Sequence, residues 1–219
     1  MKKLFSSFLA IMLMLPSVLF SQGNNEPIKL WTIYPGYIIT KSNDTIQGYL
    51  MLKNKISNQG KVFFFDSPNA EKPSAKYKPK DIKGYKVADR VYETMKYSPE
   101  YTTMKYSFLL KTVDGKVKFF KSYFDDKERI KIDEDDIWNS KIDLSFSEEE
   151  LKEVWLGSKD GKKIENFNSF GYLLNFSKNM SKFLSDCPEI ANKIANKEKG
   201  YEYGNLEKII REYNEKCGE

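Results

Sequence analysis

The sequence predicts an α+β protein: an antiparallel β-sheet or partly closed β-roll, followed by a three-helix C-terminal segment. Three observations predict it. From Leu30 to Ile164, short β-rich runs alternate with turn clusters. Midway along, the pair Asp114-Gly115 separates two runs that alternate apolar and polar residues. After Ile164 the apolar residues recur at helical spacing instead. The 15 Phe and 14 Tyr suit strands whose faces are well covered.

Ahead of the sheet, Met1 to Gln22 reads MKKLFSSFLAIMLMLPSVLFSQ. Two lysines, an apolar run from Leu4 to Phe20 and then small polar residues are the three regions of a secretory signal peptide. Ser6, Ser7, Pro16 and Ser17 interrupt the run, which argues against a retained span of about 20 apolar residues. The expected cut follows Ser21, and no cysteine stands just behind the run to carry a lipid. The predicted organisation is therefore a signal peptide over 1–21, a β-rich domain over 22–165 and a helical segment over 166–219 that packs on the sheet. Such a chain is periplasmic or extracellular, and soluble with no transmembrane span after cleavage.

The strands follow in order. Leu30 to Pro35 is short and extended and predicts an edge strand. Gly36-Tyr37-Ile38-Ile39-Thr40 and Thr45 to Leu52 flank a Lys41-Ser42-Asn43-Asp44 turn, the composition of a hairpin. Lys61 to Phe65, bounded by Gly60 and Pro68, is too short for a helix and reads as a strand covered on both faces. Ser67 to Pro79 holds three prolines and is read as loop. Asp81 to Val87 and Val91 to Tyr97 are two more strands around Ala88-Asp89-Arg90. A two-residue type I′ turn at Asp114-Gly115 sets Thr112 opposite Val117, Leu110 opposite Phe119, Phe108 opposite Lys121 and Tyr106 opposite Tyr123. One face of that hairpin is then apolar and the other, with Ser107, Lys111, Lys116, Lys118 and Ser122 interrupted by Leu109, Val113 and Phe120, mostly wet. Leu151 to Leu156 is favoured as a strand over a helix capped by Ser147, with a further turn at Asp160-Gly161.

In the helical segment, Leu173, Phe176, Met180, Phe183 and Leu184 make one stripe, Ile190 and Ile194 a second, and Leu206, Ile209, Ile210, Tyr213 and Cys217 a third. Asp186-Cys187-Pro188-Glu189 reads as a helix start with Asp186 as the capping carboxylate. Asn205 precedes the last helix. Cys187 opens the second helix and Cys217 closes the third, so in an antiparallel pair of similar length both fall at one end. A Cys187–Cys217 disulfide follows in an oxidising compartment, with two free buried thiols as the alternative. A redox catalyst would want a close Cys-x-x-Cys pair, which the chain lacks.

Composition removes several function classes. With no histidine, Ser-His-Asp and Cys-His catalysis, His-ligated zinc and imidazole proton shuttles are excluded. The net charge of +5 falls to +3 when Lys2 and Lys3 leave with the signal peptide, and the two signs alternate, so nucleic-acid binding is not indicated. The acidic segment Asp125 to Asp136 lacks the glycine of an EF-hand loop and reads as solvated rather than as a calcium site. Asn43, Asn175 and Asn179 begin glycosylation triplets that arise readily by chance in so Asn- and Ser-rich a chain.

Three segments together resemble a known group. Gly36-Tyr37-Ile38-Ile39-Thr40 with Asp44-Thr45-Ile46-Gln47-Gly48, then Tyr77 to Tyr85, and Phe183 to Pro188 with Tyr213-Asn214 are similar to exported proteins of unknown function from Bacteroidota-type bacteria. Asn43 stands where that group often has a glycine. The resemblance implies an envelope location and a β-sheet domain with a helical end, and it carries no catalytic residues to transfer. No catalytic, cofactor or metal-binding residue is assigned. The leading expectation is a noncatalytic envelope protein that binds another protein, a glycan or an apolar ligand, and the alternative is a carboxylate-based hydrolase.

Overall fold

A computed structural model describes residues 28–98, 104–125 and 148–218. Among them, ten strands form one antiparallel sheet. They are β1 (Thr32–Ile39), β2 (Thr45–Leu52), β3 (Val62–Phe65), β4 (Ala75–Tyr77), β5 (Gly84–Val87), β6 (Arg90–Met95), β7 (Ser107–Val113), β8 (Val117–Phe124), β9 (Lys152–Lys159) and β10 (Glu165–Asn166). The helices of the described residues are α1 (Lys55–Gly60), α2 (Phe170–Leu174), α3 (Phe176–Phe183), α4 (Pro188–Ala195) and α5 (Leu206–Cys217). The sheet order is β10-β9-β8-β7-β6-β5-β1-β2-β3-β4, so the fold is α+β with an open sheet.

The sheet curls around α1. That helix leaves β2 and returns to β3, yet it packs against β7 and β8, five places from β2 at the far limit. Neighbouring strands lie about 4.8 Å apart, so a flat sheet would hold β8 about 24 Å from β2. The short excursion of α1 cannot bridge that distance without curvature.

Register aligns one row of side chains across seven strands: Ile46, Ile38, Tyr85, Tyr92, Leu110, Lys121 and Trp155 stand opposite one another in turn. The described helices α1 to α5 pack on this face. At one end Ile38, Leu50, Tyr85, Tyr92 and Phe108 form a core beside α1. At the other Val113, Val117 and Phe119 pack with Met180, Leu184, Ile190, Ile194, Ile209 and Tyr213 of the helical segment.

Several expectations change. Leu30 to Pro35 is not a separate edge strand; Thr32 to Pro35 runs on into β1 inside the sheet. Pro35, with no N–H to donate, is tolerated because β5 pairs only with Gly36 to Ile39. Within the proline-rich loop, Ala75 to Tyr77 pairs with β3 as β4, a three-residue edge of the kind that discourages further pairing. The face of β7 and β8 expected to be wet is covered, with Leu109, Phe120, Val154 and Leu156 forming a core and Ser107 and Ser122 buried.

The β7–β8 register differs by two residues from expectation: Leu110 faces Lys121, and a bulge lies between Lys111 and Val113. The cause is α5. Asn214 donates through Nδ2 to the carbonyls of Asp114 (3.2 Å) and Val117 (2.8 Å), and its Oδ1 accepts from the Val117 amide (2.9 Å). It thereby holds a wider turn than type I′. Arg211, one turn earlier, donates to the Thr112 carbonyl freed by the bulge (2.6 Å). The bulge also swings Val113 onto the helix-covered face beside Phe119. Asp160-Gly161 does form a tight turn, with both φ angles positive, at 52° and 67°, as type I′ requires, and with the Lys162 amide donating to the Lys159 carbonyl (3.0 Å); the β9–β10 pairing beyond it, Gly157 opposite Glu165, is one residue off a simple two-residue hairpin.

The first of the three expected helices is broken. Asn175, at φ −122° and ψ 35°, separates α2 from α3, so the segment holds four helices. α1 has no counterpart in the sequence-based reading, because Ser57, Asn58 and Gln59 leave it no apolar stripe. It is held by polar contacts instead. Asn54 caps it by accepting from the Ser57 amide (2.8 Å), the Tyr85 hydroxyl donates to the Asn58 carbonyl (2.7 Å), and Gln59 donates to the Tyr123 carbonyl (2.7 Å).

Candidate docking surface

The chain enters α2 from a firm anchor. The Phe167 amide donates to the Trp155 carbonyl (3.0 Å), and Asn168 Oδ1 accepts from the Trp155 amide (2.5 Å). Phe167 is fully buried and lies over Gly157, where a Cβ would stand 2.4 Å from its ring. Of the side chains that follow, Tyr172 turns inward, its ring 5.1 Å from that of Phe167. Phe170, Leu173 and Leu174 turn outward, being 77%, 42% and 67% exposed. Their spacing of i, i+3 and i+4 puts them on one face of α2. Leu173 was expected in the buried stripe, and the break at Asn175 removes it from that register.

Beside this crest runs a groove of about 630 Å³ between α2, α3 and the end of α4. Leu173, Leu174, Phe176 and Ala195 supply its apolar wall, and Lys178 and Lys197 flank it. Sequence reasoning did not single this surface out. The signal was present in Phe170 to Phe176, which holds more large apolar residues than one helical face can bury.

A second cleft, of about 450 Å³, lies at the disulfide end. Cys187 and Cys217 are joined there, with Cα atoms 5.8 Å apart. Asp186 does not cap α4, whose cap position is taken by Cys187 without a side-chain bond. Its carboxylate is drawn away by an ion pair with Lys159, by Lys116 at 3.3 Å and by the Tyr213 hydroxyl, which donates at 2.7 Å. Desolvation would raise the Asp186 pKa, but the hydrogen bonds from Lys159, Tyr213 and Lys116 hold it well below the usual carboxylate range. Lys116 also donates to the Cys217 carbonyl (3.2 Å), tying the ion cluster to the disulfide.

These carboxylates suit structure better than acid catalysis. Burial opposes ionisation of Asp114 and Glu212 as well, yet hydrogen bonds from Lys111 and Lys216 lower both, and Lys216 and Lys193 bring Glu189 to about 2. A glycosidase general acid needs the opposite shift. Among the described residues no group of His, Cys, Asp or Glu is placed to hold a metal ion. Most of the acidic segment considered for calcium, from residue 126 on, lies outside the described residues, as does the stretch read as a signal peptide. The glycosylation triplets fall in the β1–β2 turn (Asn43), at the α2–α3 break (Asn175) and in α3, where Asn179 donates to the Gly171 carbonyl (3.2 Å).

One further group is unusual. Lys53 is fully buried, and its ammonium donates to the carbonyls of Ser57 (3.2 Å) and Lys61 (2.6 Å) and sits 5.0 Å from the centre of the Phe63 ring. Burial, assisted by the charge of Lys61, pushes its pKa down to about 7. With no exposed surface of its own, it is part of the interior.

Among the described residues, no helix is long and apolar enough to cross a membrane. Compared with protein-family models, with curated proteins and with solved structures, the chain matches none.

Proposed function

We infer that this chain is an exported, noncatalytic binding module of the cell envelope, and that it docks its partner on the apolar crest of α2 and the groove beside it. The observation that carries the reading is the outward placement of Phe170, Leu173 and Leu174 on a helix anchored firmly from behind. A contiguous apolar patch of this kind marks an interaction site more often than an accident of the surface. Covering the three side chains would contribute about 4 kcal/mol. Association costs at least that much in lost translational and rotational freedom, so the crest alone does not hold a partner and the flanking groove must contribute. Export is supported by the reading of residues 1–21 and by the Cys187–Cys217 pair, which suits an oxidising compartment.

A photoreactive side chain placed at Ser177, on the wall of the groove, tests the docking surface in the producing cell. The expected result is a specific adduct, to a protein or to lipid, lost when Phe170→Ser and Leu174→Ser are combined and the melting temperature is unchanged. An adduct that survives those substitutions, or none at all, contradicts the reading. Export is tested by the mass of the natural product, which should begin at Gln22.

A further inference from the structure

Resting on that docking surface, we propose that its occupant is an anionic lipid bilayer, which the chain grips at the interface without crossing it. Charge selects the occupant. Residues 168–185 contain no carboxylate. Lys178 and Lys182, one turn apart on α3, and Lys197 beyond α4 are all exposed, and among the described residues none of the three pairs with an acidic group. Lysines on the neighbouring α4–α5 surface behave differently: Lys193 and Lys216 are both neutralised by Glu189 and Glu212. Unpaired positive charge and exposed apolar side chains therefore coincide at α2 and α3, with Glu198 the first carboxylate past Lys197.

Shape favours a bilayer over an acidic protein segment. Phe170 and Leu174 form a crest, and a protein would need a matching socket to cover it. The boundary between headgroups and acyl chains yields to such a crest, and it accepts apolar side chains to a depth of about 5–10 Å. α2 is five residues long, and lying in the interface plane it turns Phe170, Leu173 and Leu174 toward that depth. The lysines flanking it have stems long enough to lie along the apolar zone while their ammonium groups reach the phosphates.

The test is flotation of the intact chain from Gln22 to Glu219 with vesicles of phosphatidylcholine alone and of phosphatidylcholine mixed equally with phosphatidylglycerol. The expected result is binding to the mixed vesicles that weakens in high salt. Binding should fall about a hundredfold on pure phosphatidylcholine, and by a similar factor in the Lys178→Gln, Lys182→Gln, Lys197→Gln triple variant. The Phe170→Ser, Leu174→Ser double variant should lose it too. All five positions are exposed, so an unchanged melting temperature certifies the fold. Failure of the wild-type chain to float with the mixed vesicles, or equal flotation of the double variant, overturns the proposal. If flotation fails while the probe at Ser177 still yields a discrete protein adduct, the docking surface stands and its occupant is a protein. If both fail, the docking reading falls as well.

Discussion

Lys53 is an ionisable group carried into the interior. Its ammonium is fully buried against two carbonyls and an aromatic face, and its pKa is pushed down to about 7. In the unfolded chain a lysine titrates near 10.4, so between the two values the unfolded state binds more protons than the folded one. Stability from this group therefore rises with pH across that window and is flat below it. From pH 7 to pH 9 the wild-type chain should gain about 2 kcal/mol relative to Lys53→Met. Urea unfolding of both proteins at the two pH values measures this, and parallel behaviour would show that Lys53 is charged in the fold. Nothing in the sequence around Lys53 distinguishes it from the chain's other lysines; it is buried because the chain through α1 wraps the Ser57 and Lys61 carbonyls and the Phe63 ring around its ammonium.

At the scale of elements, the strands were legible because turn chemistry and alternation are local. What the sequence hid is what other elements impose. Asp114-Gly115 predicts a tight turn, and Asn214, a hundred residues away, holds it open; Asp160-Gly161 has no such intruder and forms the tight turn. The β7–β8 shift is two residues, which keeps Leu110 and Lys121 on the expected face, whereas a shift of one would have reversed them. Asn214→Ala leaves the Val117 amide and carbonyl without their partner. It should cost about 2 kcal/mol and speed hydrogen exchange at Val117, with the rest of β8 little changed. The cysteines were legible because helix starts and stops are local signals; α4 has eight residues and α5 twelve, yet the connection between them, with a 3-10 turn at Tyr203–Asn205, still brings Cys217 back to Cys187. Closing a loop of 30 residues between Cys187 and Cys217 should stabilise the fold by roughly 3–4 kcal/mol, read as the loss in urea stability on reduction. A loss below about 1 kcal/mol would mean that helix packing alone orders the unfolded chain at that end.

Across the whole molecule, one face of a curled sheet is covered by helices that are themselves well packed, and the exception is α2. The sequence placed Leu173 in a buried stripe because it assumed an unbroken helix; the break at Asn175 turned that residue and its neighbours outward, and the docking surface came into being with it. If α2 is the docking crest, Phe170, Leu173 and Leu174 are covered when the protein is at work. Hydroxyl-radical footprinting of the purified chain and of the same chain in its native envelope tests this without assuming the occupant. Phe170 and Leu174 should be oxidised readily in the purified protein and protected in the envelope, while Tyr106 and Ile46, exposed elsewhere on the molecule, react equally in both. Equal oxidation of Phe170 and Leu174 in the two settings would contradict the claim.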